Sequence, residues 1–138
     1  MLRPGCTAGA GRRAEDGSAV VDFLLVAVLV VFLFLVVAQI GVALHVRTVL
    51  VAAAAEGARY GANADRTPEQ GGLRAVEVVA DSLSPEVAAG VRVTTGTPST
   101  ADGLRTVEVR LDAPLPVVFL PVGPLEITVR GHALEEGP

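Results

Sequence analysis

The chain has 138 residues, 51% of them hydrophobic, 4% aromatic and 19% charged, with a formal net charge of −4. That length suits one ordinary domain and excludes a multidomain enzyme. The single cysteine, Cys6, excludes an internal disulfide scaffold, and eleven basic residues against fifteen acids give no footprint for nucleic acid.

Residues 1–17 form a short leader carrying Arg3, Arg12 and Arg13 against Glu15 and Asp16. Cys6 has no apolar run before it, so it is not a lipid attachment site. Ser18, Ala19, Val20 and Val21 follow, then a lone carboxylate, Asp22, and an aromatic, Phe23.

From Phe23 to Leu44, 21 of 22 residues are apolar or glycine. As a helix this block spans roughly 33 Å, against a bilayer core of about 30 Å. The alternative is a helix buried in a soluble core, but the remaining residues are too few to wrap a helix that is apolar all round. The run also exceeds the about 7–15 residues of a secretory h-region. Gln39 is its one polar interruption and can bond a neighbouring helix. Basic residues are nearly balanced, Arg12 and Arg13 before the span and Arg47 and Arg59 after it, so charge orients it weakly. Size and context put the leader in the cytoplasm and the acidic distal part outside.

Helical pattern continues past the span, through Val49–Val51 and four alanines, Ala52 to Ala55. One helix over 18–60 is expected. Glu56 and Arg59 stand three apart and can pair on its surface. Gly57 and Gly61 share a face with G-x-x-x-G spacing. Two readings stay open: a face for another backbone, or an Ala-rich helix ended by a glycine stop. His45 reads as an ordinary interfacial histidine.

Residues 61–138 hold six Arg and eleven acids, a local charge of −5. After a linker at Asn63–Arg66, Thr67-Pro68-Glu69-Gln70 reads as a helix start with a capping box. Leu73, Val76, Ala80 and Leu83 form one apolar stripe, so a helix is expected over 68–83. Gly71 and Gly72 weaken its first turn, and Pro85 stops it or opens a short further turn. Three strands follow from period-two alternation: Val91, Val93 and Thr95; Val107, Val109 and Leu111; Leu125, Ile127 and Val129. Thr97–Gly103 is the first turn. The expected fold class is α+β: a long N-terminal transmembrane helix, then a domain at 63–138 with one helix and a three-stranded antiparallel meander. The apolar face of that sheet should be covered by the 68–83 helix and the end of the long helix.

Residues 114–124 combine apolar side chains with four prolines, so they are no central strand. They either dip to the membrane surface, pack on another subunit, or form a buried loop. His132 should fall at the last strand's end, solvated near Glu135 and Glu136. No phosphate loop, Cys/His metal cluster or Ser-His-Asp set is present, so the expectation is no catalytic residue, no metal, no cofactor and no enzyme.

The junction carries a more specific pattern. Gly17-Ser18-Ala19-Val20-Val21-Asp22-Phe23, the apolar span, and then Ala54-Ala55-Glu56-Gly57-Ala58-Arg59-Tyr60 resemble the TadE-like family, the minor pilin-like proteins of the tight-adherence (Flp) pilus machinery. The resemblance covers about residues 13–62. The family usually has Glu where Asp22 stands, and many members have a proline near Val28. The resemblance implies cleavage after Gly17 by a membrane prepilin peptidase, leaving Ser18 first, Asp22 fifth and Phe23 sixth. It implies that Asp22 pairs with the new N-terminal ammonium of an adjacent subunit. Without the family, Asp22 reads as a charge favourable at a helix start. Partners implied are the prepilin peptidase, other pilin-like subunits, the inner-membrane pilus platform and the lipid bilayer. The rival reading is an uncleaved single-pass anchor presenting a small extracytoplasmic binding domain.

Overall fold

The computed structural model describes residues 12–98, 103–115 and 125–135. The elements are α1 (Arg12–Gly61), α2 (Pro68–Ser82), α3 (Pro85–Ala89), β1 (Arg92–Gly96), β2 (Thr106–Pro114) and β3 (Glu126–Leu134). The chain divides into two compact units, Met1–Ala38 and Gln39–Pro138. The second unit starts inside α1, so the distal part of that helix belongs with the sheet. Most of the leader, part of the first turn (residues 99–102), the Pro-rich segment 116–124 and Glu136 lie outside the described residues.

In the first unit, α1 begins at Arg12, earlier than the expected Ser18. Arg, Ala and Glu are good helix formers, and one Gly in a helix interior costs about 1 kcal/mol, too little to break it. Gly17 therefore lies within the helix. Past it the side chains point outward: Phe23 is 72% exposed and Phe34 69%. An apolar surface this long has no water-compatible state, and the helix is long and apolar enough to cross a membrane.

In the second unit α1 changes character. Val46, Leu50, Ala53, Ala54 and Ala58 are buried at helical spacing. Gln39 is buried as well and is bonded within the protein, so it is not a polar interruption facing lipid. α2 opens as its sequence dictates. The Thr67 hydroxyl accepts from the Gln70 N–H at 3.3 Å, and the Gln70 side chain accepts from the Thr67 N–H at 3.2 Å. This reciprocal box satisfies two otherwise orphaned donors. Pro85 opens a short helix, α3, whose N-cap Ser84 accepts from the Val87 N–H at 3.2 Å.

The sheet is antiparallel in the order β1-β2-β3. In β2, Val107, Val109, Leu111 and Ala113 face inward and are buried; Thr106, Glu108, Arg110 and Asp112 alternate on the open face. Val129 of β3 joins the same core, which Val79 and Ala75 of α2 share with α1. Each fully buried Leu or Val contributes about 1.5–3 kcal/mol. β3 runs four residues beyond the Arg130 where the sequence alternation fades, because Gly131 is backed by α1. A β-carbon there would overlap the Ala54–Ala55 peptide, so only glycine lets strand and helix touch.

Candidate functional site

Two groups of residues were singled out by sequence, and they sit in different units. Gly17, Ser18, Asp22 and Phe23 occupy the first turns of the described part of α1, all exposed. Ser18 and Asp22 are four apart, so they lie on one helix face. Asp22 makes no ion pair among the described residues. A β-carbon on Gly17 would meet nothing within 4 Å. Packing in this chain therefore does not explain a glycine at that position.

Glu56, Gly57, Arg59 and Gly61 lie in the second unit. Arg59 and Glu56 form an exposed pair at 3.3 Å, of a kind that contributes little. The two glycines face α2. A β-carbon on Gly57 would stand 2.5 Å from the Gly71 carbonyl oxygen and 2.8 Å from the Ala75 Cβ. One on Gly61 would stand 3.1 Å from the Thr67 carbonyl oxygen. The G-x-x-x-G face is thus occupied by a backbone of the same chain, with Gly61 also the last residue of α1. Gly71, which weakens α2 by propensity, is required by the same contact. Gly72 is required by another: its β-carbon would lie 2.9 Å from Thr95 Cγ2 and 3.0 Å from Val93 Cγ1. Next to the crossing, the Arg66 guanidinium stacks on the Tyr60 ring at 4.9 Å.

The open face of the sheet holds a set of paired charges. Arg92 pairs with Glu126 at 2.6 Å across the width of the sheet. Arg110 pairs with Asp112 at 3.2 Å, and the Thr128 hydroxyl donates to Asp112. The Thr128 bond, with the Arg110 and Arg92 guanidinium groups, holds the Asp112 carboxyl below the usual range. His132 does not pair with Glu135, and Glu136 lies outside the described residues. His132 stands within β3 opposite Glu108, its Nδ1 3.5 Å from that carboxylate. The extra length of β3 is the cause. Arg105 pairs with Glu135 at 3.0 Å instead. The signal available in the sequence was the alternation of Glu108, Arg110 and Asp112, but their partners depend on register.

Among the described residues no group of three or more His, Cys, Asp or Glu could hold a metal ion. The clefts are open and shallow. One of about 220 Å³ lies between Leu73 and Val76 of α2 and Val93 and Thr95 of β1.

Among the described residues one apolar helix is long enough to cross a membrane, and it leads into a small α+β unit, the arrangement of a single-pass membrane protein. The model of the family described as TadE-like protein matches residues 17–59. The match starts at Gly17 and ends at Arg59, so it takes in the first motif and all of the second but Tyr60, and leaves α2 and the sheet outside. Over those residues the chain is similar to the TadE-like family. No curated protein and no solved structure matches the chain.

Proposed function

We propose that the chain is a pilin-related assembly protein of a tight-adherence or type IV-like pilus or secretion system, processed by a prepilin peptidase after Gly17. The observation that carries this reading is the family match beginning at Gly17 itself, with Asp22 and Phe23 exposed at the start of the apolar run. Among the described residues, Gly17, Ser18, Asp22 and Phe23 are exposed, and a β-carbon on Gly17 would meet nothing within 4 Å. Processing gives them a use. Gly17 lets a protease approach the backbone closely, since no side chain intervenes. Cleavage leaves an ammonium on Ser18, one turn from Asp22 along the same face. In a bundle of such helices, the ammonium of one subunit and the Asp22 carboxylate of the next neutralise each other in a low dielectric, which sets register.

In this reading the N-terminus is cytoplasmic, the span crosses the inner membrane and the sheet unit is extracytoplasmic. Partners are the peptidase, other pilin-like subunits and the inner-membrane platform. The protein has no catalytic role; the peptidase supplies its own aspartates.

One observation favours the rival reading, an uncleaved anchor presenting the sheet unit as a binding module. Gly17 lies inside α1, and a protease substrate must be extended, so cleavage requires the turns around Gly17 to unwind. Mass spectrometry of the membrane-extracted protein distinguishes the two. A mature chain starting at Ser18 is expected; one that retains the leader overturns processing and leaves the anchor.

A further inference from the structure

We propose that the outer edge of β3 is a self-association surface, where a second copy of this chain adds its own β3 in antiparallel register about Thr128. This does not rest on processing after Gly17 or on pilus assembly.

The sheet has two edge strands. β1 is five residues long and ends at Gly96. β3 is nine residues long, and among the described residues no strand covers its outer side. It contains no proline and no lysine, the usual devices for blunting an edge. Ile127, Thr128 and Val129 in its first half are β-branched, the type that pairs best on a pleated surface.

The hydrogen bonds at the two ends fix which residues face outward. The Leu115 N–H donates to the Leu125 carbonyl at 2.7 Å, and the Glu135 N–H donates to the Arg105 carbonyl at 3.0 Å. In an antiparallel pair, hydrogen-bonded and non-bonded positions alternate. The odd-numbered residues of β3 therefore bond to β2. Glu126, Thr128, Arg130 and His132 turn their backbone N–H and C=O groups to the open edge.

Charge then selects the register. Arg130 stands directly opposite Arg110 in the sheet, a like-charge arrangement that is unfavourable. Among the described residues Arg130 has no carboxylate partner. Pairing two β3 strands about Thr128 puts Glu126 of each copy opposite Arg130 of the other, Thr128 opposite Thr128, and Ile127 opposite Val129. The facing even-numbered residues are those with free backbone groups, so the ladder closes. Glu126 keeps Arg92 on its inner side and receives the second guanidinium from outside, within a carboxylate's capacity. The neighbouring registers fail. Centring on Arg130 sets two guanidinium groups face to face. Centring on Val129 sets Glu126 opposite His132 and leaves Arg130 opposite Thr128.

The test uses the full chain with Cys6→Ala, in membranes of a host without pilus genes. Opposed residues in this register have Cα atoms about 5.5 Å apart, within disulfide reach. Thr128→Cys is expected to give a disulfide dimer on mild oxidation, while Thr94→Cys on the β1 edge does not. In the Thr128→Cys background, Arg130→Glu should lower the dimer fraction about tenfold, and adding Glu126→Arg should restore it. Light scattering of the unmodified chain and of Arg130→Glu in detergent reads the same equilibrium without a thiol, and should give dimer and monomer. A monomeric parent, equal cross-linking at Thr94→Cys, or no rescue by the charge swap overturns the proposal. The mature N-terminus is read separately, so loss of processing and loss of pairing are told apart.

Discussion

The carbonyl oxygen of Gly71 stands 2.5 Å from where a β-carbon on Gly57 would lie. Helices α1 and α2 meet there backbone to backbone, and neither glycine can be replaced without moving a helix. Gly57→Ala and Gly71→Ala should each destabilise the second unit by about 1–3 kcal/mol, the usual cost of overpacking. Thermal unfolding of the full chain in detergent measures this. Gly41→Ala is the control: a β-carbon there meets nothing within 4 Å. It should unfold with the parent or above it, since Ala is the better helix former.

Gly131 should be the least replaceable glycine. Its β-carbon would meet the Ala54–Ala55 peptide, which is backbone and cannot rotate away. Gly131→Ala should fall at the upper end of the same range of about 1–3 kcal/mol or beyond. An unchanged melting temperature would show that α1 does not seat on β3 at this point.

Asp112 predicts a pH dependence. Its carboxyl is held below the ordinary range, first by the Thr128 hydroxyl and then by Arg110 and Arg92. A depressed carboxylate stabilises the fold above its unfolded pKa of about 3.9, and that stability is lost as pH falls through the folded value. Asp112→Asn should therefore cost most at neutral pH, and its difference from the parent should shrink under more acidic conditions. Thr128→Val should raise the Asp112 pKa toward normal, read by NMR titration of the carboxyl carbon.

The proposed function makes Asp22 dispensable for insertion and important for assembly. Asp22→Ala should fractionate with membranes as the parent does, yet fail to support pili. Asp22→Glu, which restores the residue usual in the family, should support them. Normal piliation by Asp22→Ala would remove the pairing role.

Much of this architecture was legible in the residues. Thr67, Pro68 and Gln70 announce the start of α2 because a capping box is local chemistry. Val107, Val109 and Leu111 announce β2 because its buried face repeats every second residue. The illegible parts depend on distant partners. Gly71 and Gly72 read as weak points by propensity, and the alternation carries no sign of Gly131; each is set by a backbone or side chain distant in the sequence. The length of β3 was hidden for that reason, and with it the pairing of His132 with Glu108. At the junction, Gly17, Ser18, Asp22 and Phe23 were legible only as a motif, because no contact among the described residues accounts for them. The start of α1 at Arg12 was missed by giving the leader boundary more weight than the helix-forming residues before Gly17.

The burial of Ala54 against Gly131 has a consequence for biogenesis. The helix emerging from the apolar run is also a wall of the domain's interior. It leaves the ribosome well before the strand that must close over it, so Ala54 waits bare until Gly131 arrives. The unit cannot fold piecemeal behind its anchor; its last strand completes it. A fragment released at the linker after Gly61 would lose that wall and expose Val107, Val109 and Leu111 to water. Such a fragment would be prone to aggregation, whereas one starting near Gln39 would keep the lining with the sheet.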